Sequence, residues 1–63
     1  MTHKEWKAEV VKRLAVANKS RAELAEEIGY STNYVQHIIC GDMKAKKAVR
    51  RISDALGIQP YGE

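Results

Sequence analysis

The stretch that decides the fold is RAELAEEIGYSTNYVQHIIC, residues 21–40. Its apolar side chains fall at helical spacing in two groups, one before and one after Gly29. The two groups are Leu24, Ala25 and Ile28, then Val35 and Ile38. Glycine adopts a positive φ at low cost, so Gly29 is expected to turn the backbone out of the first helix. With Ser31 as N-cap of the second helix, the stretch predicts two short helices joined by a tight turn.

The ends of both helices are marked by ordinary start and stop signals. Helix 2 is expected over residues 21–28, because Ser20 and Glu23 match the capping box, in which each side chain bonds the other's backbone N–H. Helix 3 is expected from residue 32 to residue 39 or 40, with Gly41 as its stop. Two helices set at a steep angle by a short glycine turn form a helix-turn-helix.

Helix 1 is expected from residue 3 or 4 to residue 17, with Thr2 as its N-cap. Its apolar residues share one face, which is predicted to point into the core. That face consists of Trp6, Val10, Leu14 and Ala17, widened by Val11 and Ala15. Because Trp6 lies on the apolar face, we expect its indole to close the core rather than to stack on a base.

Helix 4 is expected over Ala45–Leu56 and is ended by Gly57. Its apolar face is predicted to contain Ala45, Ala48, Val49, Ile52, Ala55 and Leu56. Ile58 is expected to fold back on the core, and Gln59–Glu63 to form a short tail. The whole chain, residues 1–63, is therefore predicted to be one all-α domain, a compact bundle of four short helices, or five if the C-terminal residues add one.

The composition is that of a single small domain from a reducing compartment. The chain has 63 residues, of which 44% are hydrophobic and 30% charged. It has no apolar run long enough to span a membrane, and its start, MTHKEWK, lacks the apolar core of a signal peptide. Its one cysteine, Cys40, cannot form an internal disulfide. We therefore expect a cytoplasmic protein with no membrane partner.

Positive charge is concentrated near the last helix. The formal net charge is +3 and the pI is about 9.2. Residues 43–51 carry basic side chains and no acid, whereas acids cluster in residues 23–27. The basic side chains are Lys44, Lys46, Lys47, Arg50 and Arg51. A charge run of this kind is often a solvated helix face; on a small basic domain it also favours an anionic partner, most commonly nucleic acid.

Candidate catalytic and metal-binding groups do not combine into a site. His37 precedes Cys40 by about one helical turn, but no third group is placed to orient the histidine. The spacing of Cys40, His37 and His3 does not match a zinc site, and Glu26 and Glu27 point in different directions from adjacent helix positions. We therefore predict no enzymatic activity, no metal, no cofactor and no small-molecule substrate.

The exposed start of helix 3 has the side chains that base recognition needs. The major groove of B-DNA admits one α-helix, and its base edges present hydrogen-bond donors and acceptors. Pairs of polar residues four positions apart lie on one helix face, while Val35 and Ile38 point inward. The predicted base-reading residues are Thr32, Asn33, Gln36 and His37. The alternative is that they form an ordinary exposed helix face.

Phosphate contacts are expected on both sides of helix 3. Helix N-termini favour anions, so the start of helix 2 is one candidate, and the basic loop that leads into helix 4 is another. Tyr34 is expected to donate its hydroxyl to a phosphate. The predicted phosphate-contacting residues are Ser20, Arg21, Tyr34, Lys44, Lys46 and Lys47. Such contacts position a reading helix without carrying sequence information.

A set of short motifs is spread over nearly the whole chain. The motifs are Ser20–Ser31, then Val35, Ile38 and Gly41, then Ile52–Ile58. In this order and spacing they resemble the Cro and lambda-repressor type of helix-turn-helix, also called the Xre family. The resemblance implies a lambda-repressor-like fold and a sequence-specific transcriptional regulator of double-stranded DNA, such as a phage or plasmid repressor. It also implies a palindromic operator and a weak homodimer, formed in solution or only on the DNA.

The chain departs from the family pattern at several positions. Arg21 takes the place of a glutamine that opens helix 2 in many members, which implies a phosphate contact or guanine reading. Ile39 and Cys40 stand where many members have polar residues, so they are expected to face a partner protein or extra core. Only Gln59–Glu63 follows where many members have a fifth helix, and Lys19 replaces a frequent leucine.

A protein-interaction module that reuses the same fold is the alternative function. It would engage a polymerase, a toxin or another repressor through Ile39, Cys40 and the C-terminal tail. DNA binding that weakens with salt separates the two hypotheses, because phosphate contacts release counterions.

Overall fold

The computed structural model describes residues 2–43 and 45–61, and in these ranges it forms four α-helices and no strand. The helices are α1 (His3–Ala17), α2 (Arg21–Ile28), α3 (Thr32–Cys40) and α4 (Lys46–Leu56). The radius of gyration is 10.2 Å, close to the ~11 Å typical of a compact chain of this length. The predicted all-α class is confirmed. None of these helices is long and apolar enough to cross a membrane.

α1 and α2 begin at the residues that their caps predict. The Thr2 hydroxyl oxygen accepts from the Glu5 backbone N–H at 3.2 Å, and the Glu5 carboxylate accepts from the Thr2 backbone N–H at 3.0 Å. Ser20 and Glu23 form the same reciprocal pair, with both distances 3.1 Å. Each box satisfies backbone donors that the first turn of a helix leaves free.

The turn between α2 and α3 is set by Gly29. Its φ is +80°, which confirms the predicted left-handed conformation. The N–H of Tyr30 donates to the Ala25 carbonyl oxygen at 2.9 Å and closes the end of α2. Ser31 then accepts from the Tyr34 N–H at 3.1 Å and caps α3, as predicted. Because residues 29–31 alone separate the two helices, α2 and α3 pack directly on each other.

α4 begins one residue later than expected. Ala45 has an extended backbone and is the N-cap of the helix rather than its first helical residue. Its methyl group has no acceptor, so no side-chain hydrogen bond closes the first turn of α4. The other end agrees with the prediction, since α4 ends at Leu56 and Gly57 follows in a left-handed conformation.

One hydrophobic core joins all four helices. Its buried residues are Trp6, Val10, Leu14, Leu24, Ala25, Val35, Ile38, Ile39, Ala48, Val49 and Ile52. The predicted core face of α1 is too wide, because α1 packs mainly on α3 and α4 and buries a single stripe. Ala17, Val11 and Ala15 are exposed instead. Ala55 of α4, also predicted to be core, is exposed as well.

Trp6 closes one end of this core, as predicted. Its side chain is fully buried, and its indole N–H donates to the Ser53 hydroxyl oxygen over 2.8 Å. Ser53 in turn donates to the Val49 carbonyl oxygen over 2.7 Å. A buried indole N–H needs an acceptor, which explains why a serine occupies a core position that the apolar pattern does not mark.

The residues after α4 fold back onto Trp6. Ile58 packs against the core, as expected. The ring of Tyr61 lies 5.1 Å from the Trp6 ring and 5.1 Å from the His3 ring, so the expected short tail is wrong at Tyr61. Residues 62 and 63 lie outside the described ranges. We call the following residues the Trp6 corner: His3, Trp6, Ser53 and Tyr61.

Candidate nucleic-acid interface

α3 has one side in the core and the opposite side in solvent. Val35, Ile38 and Ile39 are completely buried. With 3.6 residues per turn, the opposite side is formed by positions spaced three, four and seven residues apart. We call these residues the outer face of α3: Asn33, Gln36, His37 and Cys40.

The outer face differs from the predicted reading face at both ends. Thr32 is exposed, but it lies two helical turns before Ile39 and therefore on the same side of α3 as that buried residue. Cys40 is exposed and extends the outer face by one turn beyond Gln36. The two residues at the apolar end of helix 3 therefore have different environments: Ile39 is additional core and Cys40 belongs to the surface.

Two exposed polar side chains lie at the N-terminal end of α3. The side chains of Thr32 and Asn33 are exposed, and neither bonds to another residue within 2–43 or 45–61. The first turn of α3 contains no acid. The Asn33 amide therefore offers a donor and an acceptor together, the combination that bonds N7 and N6 of adenine.

The C-terminal end of the outer face has a carboxylate beside it. Nδ1 of His37 lies 3.3 Å from Oδ2 of Asp42, in the loop that follows α3. The Asp42 backbone N–H also donates to the His37 carbonyl oxygen at 3.0 Å, which holds the loop against the end of the helix. Asp42 has no role in the sequence-based prediction, and its charge makes this end of the face less attractive to an anion than the Asn33 end.

One hydrogen bond joins the start of α2 to the outer face. Arg21 donates from Nη1 to Oε1 of Gln36 over 3.0 Å, and both residues are half-buried. No carboxylate of the described chain pairs with Arg21. The sequence predicts an anchoring role for Arg21 and a reading role for Gln36; the contact between them has no local sequence signal, because they belong to different helices.

Ser20 is occupied with capping. Its hydroxyl oxygen accepts from the Glu23 N–H, and its own N–H donates to the Glu23 carboxylate. The carboxylate of Glu23 therefore already takes the position at the start of α2 that an anion would occupy. The hydroxyl hydrogen of Ser20 is therefore the group left to make the predicted phosphate contact.

Tyr34 packs sideways rather than extending from the outer face. Its ring is half-buried and meets the Tyr30 ring edge to face, with centroids 5.1 Å apart. The guanidinium of Arg51 lies 5.6 Å from the centre of the Tyr30 ring, within cation–π range. Arg51, one of the basic side chains of residues 43–51, is thus held beside the turn between α2 and α3.

The start of α4 keeps the predicted basic character. Lys46 and Lys47 are exposed in its first turn, which has no acid and no side-chain cap. Backbone N–H groups without partners and the positive end of the helix dipole both favour an anion at such a place. Lys44, the third predicted lysine, lies outside the described residues.

The four helix N-termini fall into two classes. Those of α1 and α2 carry a glutamate in a capping box. Those of α3 and α4 have no acid in the first turn, and they stand beside the predicted base-reading and phosphate-contacting residues. An approaching polyanion therefore meets fewer carboxylates at the second pair of N-termini than at the first.

No group of three or more His, Cys, Asp or Glu side chains within the described ranges could hold a metal ion. His37 and Cys40 both point to solvent, and the polar partner of His37 is Asp42. Comparison of the chain with protein-family models, with curated proteins and with solved structures found no match.

Proposed function

We propose that this protein is a sequence-specific regulator of transcription that binds double-stranded DNA by placing α3 in the major groove. In this proposal α2, the Gly29 turn and α3 form a lambda-repressor-like helix-turn-helix. The observation that carries it is the division of α3: three fully buried residues fix its inner side, and its outer face displays polar groups without a single acid.

A helix held in this way suits base recognition because its side chains need little ordering on binding. Asn33 presents an amide that bonds to no other described residue at the N-terminal end of α3, where several helix-turn-helix proteins contact base edges. The thiol of Cys40 is small enough to approach a thymine methyl group. We propose no catalytic role for any of these side chains.

The charge distribution supports the same orientation. Lys46 and Lys47 flank the uncapped start of α4. The exposed acids of α2 are Glu23, Glu26 and Glu27; of these, Glu27 is paired with Lys19 at 2.6 Å. A duplex seated on α3 and the start of α4 would therefore have lysines against its phosphates, while the acidic residues of α2 lie on a different helix.

A single short helix contacts few base pairs, so useful specificity calls for two copies on half-sites about one DNA turn apart. We propose a palindromic operator and a weak homodimer that forms on it. A cytoplasmic phage- or plasmid-type repressor is the role that fits this mode of binding.

The test is DNA binding by the full chain, measured by fluorescence anisotropy with duplexes enriched from a random pool. Affinity is expected to fall linearly with salt on logarithmic axes. Lys46→Ala is expected to reduce that slope by about one, with equal loss on all sequences. Lys12→Ala, a matched change on the exposed side of α1, is the control and is expected to leave the slope unchanged.

Two results would contradict the proposal. One is the absence of duplex binding at low salt by a protein whose circular dichroism shows folded helices. The other is an equal change of slope in the Lys46 and Lys12 variants, which would mean that net charge alone drives binding.

The alternative, a protein-interaction module, loses part of the surface expected for it. Ile39 is fully buried, and Tyr61 packs on Trp6. Of the residues expected to meet a protein partner, Cys40 is the one that remains exposed in α3.

A further inference from the structure

We infer that Arg21 and Gln36 recognise DNA as one hydrogen-bonded unit, and that this unit selects guanine where Gln36 alone would select adenine. The inference rests on the proposed function, since it concerns which base α3 reads. It assigns a specificity to a contact between two helices that neither helix predicts by itself.

The orientation of the Gln36 amide follows from the chemistry of its partner. A guanidinium group has hydrogen-bond donors and no acceptor. Arg21 Nη1 lies 3.0 Å from Gln36 Oε1, so the amide oxygen faces the arginine and the NH₂ group points elsewhere. Both side chains are half-buried, which restricts the ways in which they can rearrange.

This orientation changes what the outer face can bond. A glutamine reads adenine by donating to N7 and accepting from N6 at the same time, and for this its oxygen and its NH₂ group must both face the base. In the pair with Arg21 one of the two lone pairs of this oxygen is taken and the oxygen faces the arginine, so the groups turned toward a ligand are the NH₂ of Gln36 and the remaining N–H groups of Arg21. They are all donors.

Guanine is the base that matches a set of donors. In the major groove it presents two acceptors, N7 and O6, on one base edge, and arginine is its commonest protein partner. Adenine presents one acceptor and one donor, and its N6 would face the N–H groups of the pair. The uncompensated charge of Arg21 favours guanine further, because no carboxylate within the described residues neutralises it.

The backbone on both sides holds the pair in place. Arg21 is the first residue of α2, directly after the capping box of Ser20 and Glu23. Gln36 follows the fully buried Val35 on α3. The competing possibility is that Arg21 leaves Gln36 on binding and contacts a phosphate, in which case Gln36 would regain its preference for adenine.

The experiment is selection of bound sequences from random duplexes by the native chain, by Gln36→Ala and by Arg21→Met. Gln36→Ala identifies the base pair that the unit reads, as the position whose preference is lost. The native chain is expected to select guanine there. Arg21→Met keeps the length of the side chain but frees the Gln36 oxygen, so the preference is expected to shift to adenine. Arg13→Met, with the same loss of charge on the exposed side of α1, is the control and should retain guanine.

A chemical change in the DNA tests the same point with the native protein, and it does not depend on the folding of a variant. Replacing guanine by 7-deazaguanine at the identified position removes the N7 acceptor. We expect the Kd to rise roughly tenfold, within the range of a base contact, and 7-deazaguanine elsewhere in the duplex outside the site to have no effect.

Four results would overturn the inference, and they differ in what else they overturn. Selection of adenine by the native chain at the position that Gln36 reads would refute the guanine assignment and leave DNA binding intact. So would guanine selection that survives Arg21→Met, or indifference to 7-deazaguanine at that position. Failure of the folded native chain to enrich any duplex would refute the proposed function, and this inference with it.

Discussion

The Trp6 corner and the outer face of α3 treat polar groups in opposite ways. In the corner, the indole N–H and the serine hydroxyl are buried and each has a partner. On the outer face, the Asn33 amide is exposed and bonds to nothing else in the described chain. Buried polar groups must be paired or they cost stability, whereas exposed unpaired groups cost little and remain available to a ligand. Stability and recognition should therefore separate by region.

Trp6→Ala should give the largest effect, since it empties a fully buried position whose ring lies against those of His3 and Tyr61. We expect a loss of about 3–5 kcal/mol in the free energy of unfolding. A domain this small has a total free energy of unfolding of roughly 3–9 kcal/mol, so we expect this loss to leave much of the protein unfolded at physiological temperature. Urea denaturation followed by circular dichroism measures it; a loss below about 1 kcal/mol would show that the corner does not hold the core.

Ser53→Ala tests the polar half of the corner. It leaves the Trp6 indole N–H buried without its 2.8 Å acceptor, and we expect a loss of about 1–3 kcal/mol. Trp6→Phe provides the background for a double-mutant cycle, because phenylalanine has no N–H that could lose its acceptor. If Ser53→Ala costs the same in both backgrounds, the hydrogen bond contributes nothing and packing accounts for the effect.

Asn33→Ala should weaken recognition and leave stability nearly unchanged, the opposite of the substitutions in the Trp6 corner. We expect the free energy of unfolding to change by less than about 0.5 kcal/mol, while discrimination at one base pair falls by about 1–3 kcal/mol. Gln59→Ala, an exposed amide outside α3, is the matched control and should change neither quantity. A large loss of stability in the Asn33 variant would contradict the separation of stability and recognition between the two regions.

The smallest expected effect concerns Glu5, at the start of the helix that carries Trp6. The hydrogen bond from the Thr2 backbone N–H, reinforced by the Thr2 hydroxyl, holds the pKa of the Glu5 carboxyl below its ordinary value. A lowered pKa in the folded state means that the carboxylate stabilises the fold above the ordinary carboxyl pKa. This contribution is lost as the pH falls through the lowered pKa.

Glu5→Gln should therefore flatten the acid limb of a plot of melting temperature against pH. Glu26→Gln, on the exposed side of α2, is the control. Curves for native protein and the Glu5 variant that run parallel down to acid pH would show that the capping box adds no pH-dependent stability.

Local signals in the sequence were sufficient for the helices. Thr2, Ser20 and Ser31 each cap the helix that they are predicted to cap, because capping depends on residues within one turn. The same rule explains the error at α4, where Ala45 cannot cap and the helix starts at Lys46. Spacing alone also placed Val35 and Ile38 on the inner side of α3, but it put Thr32 on the outer side and left Ile39 and Cys40 unassigned.

Contacts between distant parts of the chain could not be predicted in this way. Ser53 is core because an indole 47 residues away needs an acceptor, and Tyr61 is fixed by rings on α1. The bond between Arg21 and Gln36 depends on how α2 lies against α3. The sequence did contain a signal for the contact between Trp6 and Ser53, because a predicted buried tryptophan requires a polar partner somewhere in the core.

α3 packs against α1, α2 and α4. This arrangement determines which substitutions in α3 the fold can tolerate. Substitutions at positions 33, 36, 37 and 40 alter the surface and leave the buried residues of α3 in place, while a change at position 36 also removes its bond to Arg21 of α2. One scaffold can therefore be given many different recognition surfaces by a few exchanges of side chains, each nearly neutral for folding. Libraries randomised at these four positions would be expected to yield mostly folded proteins, a practical starting point for altering what the domain binds.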